Sequence, residues 1–335
     1  MHTEVDILEN EILKQYPDVL EILLRDHTTQ KNIFWATDNY LELGTEYYFT
    51  SEILPELITG INGHVIMPRV KKNKDLQHSR VKNMAEVFTP SWICNEQNNA
   101  VDNAWFKRKN VFNKSILNND GSSTWKSNSV KIKFPKDKSW EDYINENRLE
   151  LSCGEAPYLT SRYDITTGKF INVKNRIGLL DRKLRIISEN VFTSDGWLNA
   201  AELAFESTYG FEWQGDSLLL AREALLFTFI EYYVEKFKLE PQLINIQKIA
   251  HIISWNVWQM DGLKGVIPNS CNINTQENEN LFGDSEKNLV TCNGCESKNI
   301  NKHNGIYCTI KDWKEKDPIT GEKGLIIRFI DLLKN

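Results

Sequence analysis

Residues 148–158 read Arg148-Leu149-Glu150-Leu151-Ser152-Cys153-Gly154-Glu155-Ala156-Pro157-Tyr158, and the fold turns on how that run is interpreted. Leu149-Glu150-Leu151 reads as a short strand, and Ser152-Cys153-Gly154 as the turn into which it opens. Two further strands follow: Tyr209-Gly210-Phe211-Glu212-Trp213, and Trp255-Asn256-Val257-Trp258-Gln259-Met260-Asp261. Helical runs occupy 200–209, 216–237 and roughly 243–254. The run from Leu218 through Phe229 and Tyr233 is apolar around much of its circumference, which predicts burial. Strand, helix, strand, helix, strand in that order predicts an α/β fold built on a parallel, doubly wound sheet.

A sheet of that kind binds nucleotide-like ligands at the carboxyl ends of its strands. Gly154 lets another backbone or a ligand approach closely because it has no Cβ. Glu150, at the first strand end, is placed to receive an ammonium group. Glu212 ends the second strand, where an acid commonly accepts hydrogen bonds from ribose hydroxyls, and Asp261 ends the third, where it would accept from an adenine amino group. Glu-x-x-x-Gly alone arises readily by chance, and an ordinary strand-to-loop turn explains it equally. Three acidic strand ends in sequence are more specific, the alternative being carboxylates that are merely exposed there.

Upstream, Ile7, Leu8, Ile12, Leu13, Tyr16, Leu20, Leu23 and Leu24 keep helical spacing, which predicts one helix over about 5–25, interrupted or kinked at Pro17. His27 and Asp38 follow; a lone His beside a helix end is more often a cap or packing residue than a catalyst. The organisation expected is a helical N-terminal region over 1–84, a core over 85–270, a cysteine-rich insertion over 271–310 and a C-terminal strand region over 311–335. Within the core, 105–139 is rich in Asn, Ser and Lys and reads as a loop-bearing insertion, followed by a helix from Trp140 towards Asn147.

The net charge of −6 divides unevenly. Residues 69–138 hold 15 Lys and Arg against 6 Asp and Glu, and the remainder 25 against 40. A basic segment in an acidic chain suits contact with an anion, although a solvated surface insertion has the same composition. Trp105, Phe106, Phe112, Trp125, Phe134 and Trp140 are interleaved with those cations. Aromatics among cations either stack on bases while the cations hold phosphates, or form the core of a small subdomain.

The motif Ala85-Glu86-Val87-Phe88-Thr89-Pro90 completes a resemblance. It resembles the S-adenosylmethionine (AdoMet) binding motif of gamma-order DNA adenine methyltransferases. Further segments widen the likeness: Cys153-Gly154-Glu155-Ala156-Pro157-Tyr158, Arg176-Ile177-Gly178-Leu179-Leu180-Asp181-Arg182, Tyr209-Gly210-Phe211-Glu212-Trp213-Gln214-Gly215-Asp216 and Trp258-Gln259-Met260-Asp261-Gly262-Leu263. Together they are similar to the restriction endonuclease subunit M family of type II restriction-modification methylases, from about residue 20 onward. The resemblance implies a Rossmann-like sheet. Phe88, Thr89 and Pro90 would line the AdoMet pocket with Cys153, Glu150 and Gly154 would hold the methionine moiety, Glu212 the ribose and Asp261 the adenine. It also implies DNA as partner. The chain departs from the family in one respect: no Asn/Asp/Ser-Pro-Pro-Tyr/Phe tetrapeptide, which holds a flipped-out adenine in such enzymes, occurs in the 335 residues. No catalytic residue is therefore assigned. The expectation is an incomplete methyltransferase, truncated or completed by a second chain, with a non-enzymatic DNA- or protein-binding module as the alternative.

Cys292-Asn293-Gly294-Cys295 has the spacing of a zinc knuckle, with Cys271 before it and Cys308 after it. Four thiolates would close a structural site, His303 being a possible replacement for Cys271. Reduced, unmetallated thiols are the alternative. With no apolar run of membrane-spanning length and no secretory start at Met1-His2-Thr3-Glu4, the sequence leads us to expect a cytoplasmic protein whose cysteines are thiols or metal ligands.

Overall fold

Three short parallel strands, Arg148–Glu150, Thr208–Glu212 and Val257–Gln259, hydrogen-bond side by side in that order. Arg148 lies opposite Thr208, and Glu212 opposite Gln259. The computed structural model describes residues 5, 9–74, 80, 89–271, 274–279 and 285–334, with side chains described outside 274–279, 285–290 and 334. Helices Leu179–Asn190 and Ser194–Glu206 connect the first strand to the second, and Gly215–Phe237 and Leu243–Asn256 connect the second to the third. The protein is thus mixed α/β with a small parallel sheet.

The helices follow from composition. Gly215–Phe237 is buried from Gly215 through Tyr233, as its all-round apolar character requires. Leu179–Asn190 starts where the Asp181 carboxylate accepts the Gly178 and Ser161 N–H groups at 3.1 and 2.8 Å. That helix was not expected as such from the sequence.

At the N-terminus the single helix expected over 5–25 is two, Glu9–Gln15 and Val19–Leu24. Pro17 has no N–H to continue the ladder, and Asp18 adopts a left-handed conformation at φ 65°. Ile12, Leu20, Leu23 and Trp35 join one apolar core with Leu218, Leu225 and Phe229. Arg222 reinforces this junction. Its guanidinium is completely buried and donates to the carbonyls of Leu23 and Arg25 from the N-terminal region and of Ser254 and Val257 beside the third strand. Carbonyls left over at helix ends are thereby satisfied by one side chain.

Residues 105–139, expected as a loop-bearing insertion, contain a hairpin. Asn113–Leu117 pairs antiparallel with Ser123–Ser127. Trp105, Phe106 and Phe112 are buried and pack against Tyr143, with Trp105 and Tyr143 edge to face at 5.1 Å. Phe134 and Trp140 rest on the same core, and the half-buried Trp125 donates Nε1–H to the Asn175 carbonyl at 2.8 Å. Trp105, Phe106 and Phe112 thus belong to the same apolar core as Leu218 and Phe229 rather than to a separate subdomain. The following helix is shorter than expected, Trp140–Ile144.

The C-terminal region is a hairpin, Thr309–Lys316 with Lys323–Arg328. Its inner side joins Phe211, Trp258, Met260, Ile267 and Phe329 in a second apolar cluster. Among the described residues, no helix is long and apolar enough to cross a membrane.

Candidate functional site

At the carboxyl edge of the sheet the chain turns sharply after Glu150. Ser152, Gly154 and Ala156 all have positive φ, at 48°, 53° and 58°. Glycine adopts this freely, whereas Ser and Ala do so at a cost of roughly 1–2 kcal/mol each. A dense set of hydrogen bonds holds the turn. Cys153 N–H donates to the Phe211 carbonyl at 2.8 Å, and Gly154 N–H to the Glu212 carboxylate at 2.8 Å. Glu150 accepts the N–H groups of Tyr158 and Leu159 at 3.3 and 3.1 Å, one on each oxygen. Both oxygens of this acid thus engage its own loop.

Burial dominates the electrostatics here. It pushes the Glu150 carboxyl up to about 8 despite the two N–H donors. Burial likewise raises Glu212, against the N–H groups of Gly154 and Gln214. The Cys153 thiol is pushed well up by burial and sits against Gly210, where it packs. Asp261, two residues beyond the third strand, accepts Leu263 N–H at 3.0 Å and pairs with Lys264 at 3.1 Å.

Of the motif at 85–90, Phe88 lies outside the described residues, whereas Thr89 and Pro90 lead into helix Ser91–Phe106. That helix is fixed to the turn from two directions. Asp164 accepts Ser91 N–H at 2.9 Å, and the Asn98 side chain donates to the carbonyls of Tyr158 and Ile177 at 3.0 Å each. The Cys94 thiol of the same helix donates back to the Thr89 carbonyl at 3.5 Å. Thr89 and Pro90 are therefore brought to the loop that carries Gly154.

Asp216, in the first turn of the long helix after the second strand, was not singled out from the sequence as a site residue. It is buried and binds the hydroxyl of Tyr40 at 2.8 Å, Lys72 at 3.3 Å and Arg80 at 2.8 Å. Burial opposes its ionisation, but Arg80 and Lys72 hold it well below the ordinary carboxylate range. Two cations of the basic segment are thereby used internally. Others remain on the surface: Arg108, Lys114, Lys126, Lys131 and Lys133 line a cleft of about 750 Å³ whose lining contains no carboxylate. His27 stacks on Trp255 at 3.9 Å, and burial depresses it to about 3, so it is a neutral packing residue. Asp38 accepts Phe49 N–H at 3.1 Å across the 38–49 loop.

The cysteine-rich segment gathers Cys271, Cys292, Cys295 and His303, whose ligand atoms all lie within 4.8 Å of one another. A Cys3His set of this kind can hold a metal such as zinc. Cys308, expected as the fourth ligand, is not in the group. It is fully buried in the second apolar cluster and donates Sγ–H to the Gln259 carbonyl at 3.4 Å. His303 takes that place, while Cys271, the residue it was expected to replace, remains a member. Comparison of the chain with protein-family models, curated proteins and solved structures finds no match.

Proposed function

We propose that the chain is the AdoMet-binding part of a restriction-modification DNA adenine methyltransferase with a Rossmann-like core. The observation that carries this reading is the order of Glu150, Glu212 and Asp261 along one edge of a parallel sheet, at or just beyond successive strand ends, beside the left-handed turn at Gly154. The motif resemblance supplies the identity of the ligand. AdoMet, when bound, supplies an electrophilic methyl group on its sulfonium.

The chain's own residues would bind and orient the cofactor. Gly154 would admit its methionine end to the turn, with Glu150 positioning that turn through the Tyr158 and Leu159 N–H groups. Glu212 and Asp261 would accept from ribose and adenine, and Thr89 and Pro90 would close the near wall. The cationic cleft would meet DNA phosphates. The Asn-Pro-Pro-Tyr-type loop that would hold the acceptor adenine is not among these residues, so transfer would require such a loop from elsewhere, for example a second chain. A second cofactor, zinc at the Cys3His cluster, would be structural.

A non-enzymatic DNA-binding module is favoured instead only by the acid-free cationic cleft. Calorimetric titration of the full chain with AdoMet separates the two. Saturable heat supports the methyltransferase reading, and no heat at millimolar AdoMet with intact DNA affinity favours the binding module.

A further inference from the structure

We infer that Cys271, Cys292, Cys295 and His303 bind one zinc ion, and that this ion clamps the 292–308 segment against the outlet of the third parallel strand. The distances carry the argument. His303 Nδ1 stands 3.6, 3.5 and 3.7 Å from the sulfurs of Cys271, Cys292 and Cys295. Zinc bonds of about 2.3 Å to sulfur and 2.0–2.1 Å to nitrogen at tetrahedral angles give an N···S edge of about 3.6 Å. Three near-equal edges of that length are what a tetrahedral centre imposes, whereas a disulfide would bring two sulfurs together and leave the imidazole without a role.

The backbone is built for the approach. A Cβ at Gly294 would lie 2.6 Å from His303 Nδ1 and 2.5 Å from its amide nitrogen, so only glycine admits the imidazole at the knuckle. Asn304 N–H donates to the Cys292 sulfur at 3.3 Å, a backbone bond that orients the sulfur and stabilises its thiolate form. Three thiolates and a neutral imidazole around Zn²⁺ leave one negative charge.

From the centre a chain of contacts leads back to the sheet. His303 N–H donates to the Tyr307 hydroxyl at 2.9 Å, Tyr307 bridges Val266, and Val266 bridges Asp261. Ile267 N–H donates to the Ile306 carbonyl at 2.8 Å and Cys308 N–H to that of Gly265 at 3.1 Å. The sequence from 272 to 291 is dominated by Asn, Glu and other polar residues, a composition with little apolar surface to bury, and a metal can supply folding free energy where burial is small.

The test is elemental analysis of the full chain purified under reduction without chelator, followed by exchange of the metal for Co²⁺. About one zinc per chain is expected, with a cobalt spectrum showing tetrahedral ligand-field bands and charge-transfer intensity for three thiolates. C292S and C295S should lose the metal, and C308S should keep it. Chelation should also speed hydrogen exchange at the Ile267 and Cys308 amides at least tenfold. Absence of stoichiometric zinc together with no cobalt uptake, or four-thiolate cobalt intensity, overturns the site. Unchanged exchange on chelation overturns the clamp.

Discussion

Gly154 and Glu212 are joined across two parallel strands: the glycine amide donates to the carboxylate at 2.8 Å. The same carboxylate accepts Gln214 N–H at 3.2 Å, so one acid end-stops both the first turn and the start of the next helix. Replacing Glu212 with Ala leaves two backbone donors without this partner, which should cost about 1–3 kcal/mol. Urea denaturation should show a lower midpoint at unchanged slope. A Glu212→Ala protein within about 0.5 kcal/mol of the original would mean that the turn holds itself.

Asp261 is the residue whose loss should be felt by the cofactor. Asp261→Ala is expected to weaken AdoMet binding by about 1–3 kcal/mol, roughly 5- to 150-fold, through loss of an acceptor near a buried group. Calorimetry on variant and original proteins of matched folded fraction measures it. Equal affinities would remove adenine recognition from this residue.

Glu150 should impose a pH dependence on stability. Its carboxyl rises from an ordinary 4.5 to about 8 in the folded protein because burial disfavours the anion. The folded state therefore holds the proton more tightly than the unfolded chain. Its contribution is full below about pH 4.5 and is lost as pH rises through about 8, by at most about 1.4 kcal/mol per pH unit. The stability of the original minus that of Glu150→Gln should fall steadily between pH 5 and 8. A difference that is flat across that window, or rises, would show that the two N–H donors outweigh burial.

Salt should act strongly on DNA binding through the cleft of Arg108, Lys114, Lys126, Lys131 and Lys133. Each cation changed to Ala should reduce the slope of log affinity against log salt by about 0.9, with little change in sequence preference. Fluorescence anisotropy with labelled duplexes over a salt series reads this out. Variants with the original slope would exclude the cleft as the contact surface.

The sheet was legible in the sequence because Glu212 and Gly215 mark a strand end and a helix start around an apolar run too long to be a strand. Helix Leu179–Asn190 was hidden because Asp181, Arg182 and Lys183 are buried in it, and charges on an inner face erase the apolar period. Arg182 meets Asp102, and Lys183 donates to Glu146 and Ser207 carbonyls, partners distant in sequence. The 113–127 hairpin lacked alternation, its residues being mostly polar on both sides. Cys308 misled for a different reason. Spacing places it within reach of the knuckle, but with Ile310 it faces inward at the start of a strand, and cysteine packs there as a small hydrophobe.

Arg222 bears on how this chain can be divided. A fragment beginning at residue 85 would retain the guanidinium in the interior but lose the Leu23 and Arg25 carbonyls that receive it, a buried charge stripped of half its acceptors. The helical N-terminal region is thus no detachable module. Recombination that exchanged it for another sequence would have to restore two carbonyls at the same places, and a shortened expression fragment should fail on this one side chain before any question of activity arises.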